Sequence, residues 1–262
     1  MITDLGGFVA ATYMRGIRCV NIPTSLLAMV DASTGGKTGI NILGLKNLVG
    51  TFTQPSATLI YPPFLNTLSE NEILSGYAEM LKHGLIADPA HFYALLAIEL
   101  QMPYSELFAP LLSDSIQVKR QIVSADFQEK GLRKALNFGH TIGHAIEESY
   151  AVQGRTVAHG YCVLWGMVAE LYLSVIKMGC PRNVLTQMSH LMINLYGRPE
   201  CNCRQVETLK HWMLKDKKNF VEASSSRPQI SFTLLRNIGE TVVDQTVSDS
   251  ELDEALEYLF SL

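Results

Sequence analysis

The sequence predicts a partial α/β domain over residues 1–67 followed by a mainly α-helical domain over residues 68–262. Three observations carry that prediction. Short strand-like and helical runs alternate up to Thr67, and helical periodicity takes over from Ser69 to about residue 220. The 262 residues, 47% hydrophobic and 18% charged, are enough to bury one or two cores without staples. That composition excludes a disordered chain and a fibrous repeat. A net charge of −4 marks no surface for nucleic acid or an anionic membrane.

Taken in order, Asp4 is expected to cap a helix that runs to Met14 and stops at Gly16. Residues 17–22 alternate like a strand and end at Pro23. Residues 25–30 read as a short apolar helix, broken by Gly35-Gly36. Strands follow at 38–42 and 58–61, the second closed by Pro62-Pro63. Ser69 and Glu72 form a capping box opening a helix through Leu85. Later helices are expected to break at Pro89, Pro103, Pro110, Gly154, Pro181 and Pro199. The most apolar stretch, 161–179, carries Glu170 and Lys177 and reads as a buried helix rather than a membrane span. Residues 230–235 form a late strand, and Ser248 with Glu251 caps a last helix.

Five scattered cysteines fit a reducing compartment. Cys201-Asn202-Cys203 could be half a zinc clip, but no second pair follows and ordinary thiols are expected. With no leader pattern after Met1, the chain is expected to be soluble and cytoplasmic. A parallel layer as small as residues 1–67 leaves an edge or face uncovered, so the chain is expected to begin inside a domain.

The chemistry concentrates in residues 131–147. Arg133, Asn137, His140 and His144 are spaced 4, 3 and 4 apart and would share one stripe of a helix, opposite Phe138, Ile142, Ala145 and Ile146. Two imidazoles, an amide and a guanidinium in a row suit a pocket lining better than a solvated face. A His-x3-His pair can hold a metal from one helix, although Thr141 stands where a zinc protease requires Glu. A catalytic metal also wants a third protein ligand. His159, at an expected helix start, and Glu79 are the candidates. A lone histidine is more often structural, and Glu79 with Lys82 could equally be a surface ion pair one turn apart.

Gly35-Gly36-Lys37-Thr38 lacks phosphate-loop spacing, because Asp31 stands where the first glycine is needed. A turn that brings Lys37 close to an anion remains plausible. Arg15, Lys37, Lys82, Lys119, Arg133 and Lys217 together suit a small molecule bearing phosphate, hydroxyls and a carboxylate.

Six motifs then occur in one order: residues 4–16, 22–31, 35–38, Lys46-Asn47, 76–82 and 131–147. Together they resemble 3-dehydroquinate synthase. The resemblance implies conversion of 3-deoxy-D-arabino-heptulosonate 7-phosphate to 3-dehydroquinate and phosphate, with catalytic NAD and a divalent metal, Zn2+ or Co2+. It implies that residues 1–67 are the remainder of a Rossmann-like NAD-binding domain, with about a hundred further residues ahead of them. Residues 68–262 would then form the metal- and substrate-binding domain.

Residue by residue, it implies metal ligation by Glu79, His140 and His159. It gives substrate or phosphate contacts to Arg15, Asp31, Lys37, Asn47, Lys82, Lys119, Glu129, Arg133, Asn137, His144 and Lys217. Cofactor contacts fall to Asp4, Thr24, Ser25, Lys37, Lys46, Phe64, Leu65, Asn66 and Thr67. A homodimer with no nucleic-acid or membrane partner is implied. A sister sugar phosphate cyclase and an inactive truncated chain stand as the alternatives.

Overall fold

Helix α1 (Ile2–Thr12) opens the chain in a computed structural model that describes residues 2–42, 45–200, 205–215 and 230–262. Asp4 lies inside its first turn rather than at its cap. The helix ends at Thr12, two residues before the expected Met14, and gives way to a 3-10 turn, Tyr13–Arg15, before Gly16 at φ 117° reverses the chain. β1 (Val20–Asn21) pairs in parallel with β4 (Ala57–Thr58). Both strands are shorter than their apolar runs, because among the described residues each has one neighbour and prolines follow at Pro23 and Pro62.

A π-helical segment, Ala28–Ala32, replaces the expected short α-helix. β2 (Lys37–Ile42) and β3 (Leu45–Phe52) form an antiparallel hairpin. β3 is a strand that periodicity did not announce. Its run, Leu-Lys-Asn-Leu-Val-Gly-Thr-Phe, has no strict alternation and contains a glycine. A 3-10 turn, Pro62–Thr67, leads to α2 (Glu70–Ala87), and Ser69 and Glu72 make the expected reciprocal capping contacts.

α3 (Pro89–Leu96) and α4 (Tyr104–Ala125) follow. α4 runs straight through Pro110, so the expected break there does not occur. α5 (His140–Val152), α6 (His159–Met178), α7 (Arg182–Leu191) and α8 (Val206–Lys215) continue the helical part. β5 (Phe232–Asn237) and β6 (Glu240–Gln245) form a second antiparallel hairpin, and α9 (Asp249–Ser261) closes the chain.

Contacts group the chain into two compact units that the expected cut near Thr67 does not follow. One takes Met1–Met80 with Tyr93–Arg133, the other Leu81–Phe92 with Lys134–Leu262. In the first unit α1 packs on β2, while α4 packs on the 28–32 and 62–67 segments. Ile2, Leu5, Val9 and Tyr13 form an exposed stripe on α1, and Val20, Ile22, Leu59 and Tyr61 are exposed around the β1–β4 pair.

The second unit is built around α6. It is long and apolar enough to cross a membrane, yet 67% of its most apolar window is buried. α5, α7, α9 and β5 surround it. Ser174 locks the hairpin to the helix by accepting from Leu235 N at 3.0 Å and donating to Glu170 O at 2.7 Å. α5 and α6 approach so closely that side chains are excluded at the crossing. A Cβ on Gly166 would stand 2.0 Å from Gly139 O and 2.7 Å from Gly143 N, and one on Gly139 would meet Met167 Cγ at 2.3 Å. Gly139 also sits at φ 78°, which penalises any Cβ.

Two outcomes follow from this packing. Gly166→Ala is expected to force the helices apart and lower stability by about 1–3 kcal/mol or more, read as a drop in the urea midpoint. Ser248→Ala removes a complete capping box at α9, in which Ser248 Oγ accepts from Glu251 N and Ser248 N donates to Glu251 Oε2 at 2.6 Å. That change is expected to cost about 1 kcal/mol near neutral pH. The Ser248 backbone bond holds the Glu251 carboxyl below its ordinary value. Its contribution is therefore present above the usual glutamate range and lost as pH falls through the depressed value. Alanine keeps that backbone donor and loses the hydroxyl's bond to Glu251 Oε2 at 2.9 Å, which also lowers the carboxyl, so the gap between parent and Ser248→Ala should narrow by the hydroxyl's share when denaturation is repeated at acid pH.

Candidate active site

The expected single stripe of Arg133, Asn137, His140 and His144 does not exist as one helix. Leu132–Asn137 is a 3-10 turn, Gly139 adopts a left-handed conformation, and α5 starts at His140. The chain also passes from one unit to the other between Arg133 and Lys134. The physical reason is the α5–α6 crossing: a helix continuing through Gly139 would carry its backbone into α6. Arg133 therefore belongs to the first unit, and Asn137, His140 and His144 to the second.

In the helical unit, His140 is the first residue of α5 and His159 the first of α6. Gly139 meets Val163 and Met167 of α6, and His159 meets Glu147 of α5, so the packed helices bring their imidazoles together. The rings of His140 and His159 lie 5.5 Å apart between centroids, and His144, one turn along α5, lies 5.2 and 5.8 Å from them. One ring nitrogen from each falls within 4.8 Å of the others, so these three residues could hold a metal ion.

Two residues that sequence reasoning gave no site role shape this group. Glu170, fully buried on α6, accepts from Gly139 N at 2.6 Å and Ile142 N at 3.3 Å, capping the first turn of α5. A carboxylate at a helix N-terminus satisfies orphan N–H groups and the helix dipole together. Glu147 meets His159 Nδ1 at 3.1 Å. His140 Nδ1 stands 3.1 Å from Phe138 O, and a carbonyl only accepts, so Nδ1 carries the proton and Nε2 is the ligand nitrogen. The donor set fits a borderline divalent cation, which imidazole nitrogen binds well.

Glu79 and Lys82 on α2 are 0% and 1% exposed, which overturns the surface ion-pair reading. The boundary between units falls between them. Glu79 shares its unit with Asp31, and their carboxylate oxygens approach within 4.8 Å. Asn137 is half-buried in the second unit.

The first unit assembles its own polar group. Lys119 on α4 donates to Asp31 O at 2.5 Å and to Asp31 Oδ1 at 2.6 Å. Lys37, beside the Gly35-Gly36 turn, pairs with Glu129, so the anion near that turn is the chain's own carboxylate. Arg133, 2% exposed, donates from Nη2 to Gly35 O at 2.8 Å and from Nη1 to Phe127 O at 2.6 Å, with Phe52 stacked at 5.9 Å. A Cβ at Gly35 would strike Nη2 at 2.7 Å. Burial lowers the Arg133 pKa, and Glu129, Asp31 and Asp126 offset it. Asp126 orders the turn leading to Arg133 by accepting from Lys130 N, Gly131 N and Arg133 N.

An open pocket in this unit is lined by Thr3, Gly7, Asn21, Ser33 and Gly36, together with Lys37. Asp4 is one residue along α1 from Thr3, and Arg15 is exposed beyond the helix end. Thr24 is exposed, and Ser25 caps the next turn through Ala28 N at 3.3 Å. Of the 64–67 stretch, Leu65 is buried and Asn66 accepts from Ser105 N at 2.9 Å, which gives both a packing role. Lys46 and Asn47 fall in β3 rather than in a loop, and their side chains lie outside the described residues. Lys217, Cys201 and Cys203 lie outside them altogether.

Comparison with known proteins places this arrangement. The model of the 3-dehydroquinate synthase N-terminal domain matches residues 1–75, and that of its C-terminal domain matches residues 76–219. The chain is 45% identical over 259 residues to the 3-dehydroquinate synthase of Parabacteroides distasonis, covering 98% of itself and 71% of that protein. It is 40% identical over 259 residues to that of Corynebacterium diphtheriae, covering 97% and 68%. Among solved structures, the 2-epi-5-epi-valiolone synthase ValA from Streptomyces hygroscopicus, which has NAD+ and Zn2+ bound, superposes with a TM-score of 0.82 at 27% identity, over 98% of this chain and 70% of that one. A 2-deoxy-scyllo-inosose synthase shares the fold, with a TM-score of 0.79 at 21% identity over 97% and 71%. The motif order, the two family models and these relatives agree: the chain belongs to the 3-dehydroquinate synthase family.

Proposed function

We propose that the protein converts 3-deoxy-D-arabino-heptulosonate 7-phosphate to 3-dehydroquinate and phosphate, as a carbon–oxygen lyase of the shikimate pathway. The observation that carries this reading is 45% identity to a 3-dehydroquinate synthase across 98% of the chain. The likeness to ValA, at 27%, is weaker and supports NAD and a divalent metal as cofactors without favouring ValA's product.

When bound, NAD+ supplies a hydride acceptor and the divalent cation a Lewis acid that acidifies the reacting hydroxyl. His140 and His159 hold that cation through Nε2. The matching motif adds the buried carboxylate of Glu79. Asn137 would orient hydroxyls and His144 carry protons as the ketone forms, phosphate leaves by β-elimination, the ketone is reduced back by the returned hydride and the ring closes in an aldol step.

Lys37, Lys119 and Arg133, with Arg15, Asn47, Lys82 and Lys217, form the substrate's polar cup in this reading. Lys37 and Lys119 are already paired with Glu129 and Asp31. Phosphate must compete with those carboxylates, so the clamp grips without trapping a leaving group. Residues 1–67 carry the cofactor side, with Asp4, Thr24, Ser25, Lys37, Lys46 and Phe64 to Thr67 as its contacts, in a Rossmann-like layer. The working protein is a soluble, cytoplasmic homodimer that takes a small phosphorylated sugar acid.

Phosphate release is the test. Supplied with substrate, NAD+ and Zn2+, the protein should liberate phosphate and stop when the metal is chelated. His140→Ala and His159→Ala should each slow it by more than the roughly 100-fold that losing a ligand's supporting partner costs. No release in the complete mixture, or release only from other sugar phosphates, would overturn the assignment.

A further inference from the structure

The two histidines at the α5 and α6 starts are supported differently, and the difference assigns a role to a residue outside the matched set. His140 Nδ1 donates to a neutral backbone carbonyl, Phe138 O, two residues back along its own chain. His159 Nδ1 donates across the helix crossing to a carboxylate, Glu147 Oε2, at 3.1 Å. Glu147 lies seven residues after His140 and three after His144, on the same face of α5. Both partners are sheltered, with side chains 30% and 21% exposed for His159 and Glu147, so the pair is less screened than a surface ion pair.

We infer that Glu147 is a positioning residue: it fixes His159 with Nε2 toward the cation and, through its charge, makes that imidazole the stronger nitrogen ligand. A carboxylate accepting from Nδ1 selects one tautomer, locks the ring's rotation and raises the basicity of the other nitrogen. The carbonyl behind His140 does the first two and little of the third. His159 sits on α6 and Glu147 on α5, so their bond crosses from one helix to the other. The inference rests on the metal reading above.

The test measures metal affinity directly, by competition between the protein and a chromophoric chelator for Zn2+. Alongside it run the thermal midpoint of metal-free protein and 15N NMR of the histidine rings. Glu147→Ala is expected to weaken Zn2+ binding about 10–100-fold. Glu147→Gln, which keeps an accepting oxygen but not the charge, should fall between it and the parent. The metal-free midpoint should hold, while His159 changes from the Nδ1-protonated tautomer to a mixture in Glu147→Ala.

Zn2+ binding by both variants within about twofold of the parent would overturn the role. So would an affinity loss matched by an equal fall in metal-free stability with no change of tautomer. If Glu147→Ala does not fold, the Gln variant carries the comparison. His159→Ala separates the two readings. Lost Zn2+ binding there with none lost in Glu147→Ala sinks only the positioning role, whereas unchanged binding in His159→Ala sinks the metal reading with it.

Discussion

The close crossing of α5 and α6 is the constraint on which the helical unit's chemistry depends. Ligand imidazoles on two helices can converge only if the helices pack closely, and ordinary side chains would hold the axes 8–10 Å apart. Gly139, Gly143 and Gly166 remove those side chains where the backbones meet. Close backbone approach then creates a second demand, because the buried first turn of α5 has N–H groups with no helical acceptor. Glu170 answers it from the buried face of α6. A carboxylate in so apolar a helix is costly unless fully hydrogen-bonded. Here it is bonded to the turn that carries His140, so the helix presenting one imidazole at its start also orients the other three turns further on.

The α/β unit solves a different problem, which is to keep several cations close together in the absence of substrate. Lys119 lies against Asp31, Lys37 against Glu129, and Arg133 against two carbonyls with an aromatic face beside it. Each arrangement lowers the self-energy of a sheltered charge. Arg133 differs from the lysines because both terminal nitrogens are committed to backbone. In this structure its observed work is to prop the Gly35 turn that precedes Lys37.

Sequence patterns revealed what local chemistry dictates. The capping boxes at Ser69 and Ser248 mark helix starts, because the bonds they make are confined to one turn. Burial of α6 was legible because its span is almost wholly apolar, with Glu170 buried inside it and Lys177 exposed near its end. β3 and β6 were not legible. Their stability comes from a hairpin partner rather than from their own alternation, and Asn237 to Gly239 forms a turn that single-strand periodicity does not report. Pro110 was misread for a related reason: the surroundings of α4 tolerate one missing helical bond. The polar stripe failed at Gly139, where spacing alone cannot distinguish a helical glycine from one that ends a turn. Glu147 was within reach, since His140, His144 and Glu147 follow helical spacing once α5 is known to begin at His140.

Two of the motifs that identify the family straddle a boundary between units. Residues 76–80 and 81–82 of one fall on opposite sides, as do 131–133 and 134–147 of the other. A motif read as a string therefore mixes two structural duties. In the second, Arg133 closes the first unit through Gly35 and Phe127, while the next residue, Lys134, joins the second through Asp244 and Thr233. The 3-10 turn at Leu132–Asn137 compresses that passage into a few residues. Substitutions there act on the connection before they act on any substrate. The uninterrupted α2 does the same for Glu79 and Lys82, holding a carboxylate and an ammonium at a fixed offset of three residues however the units around them are packed.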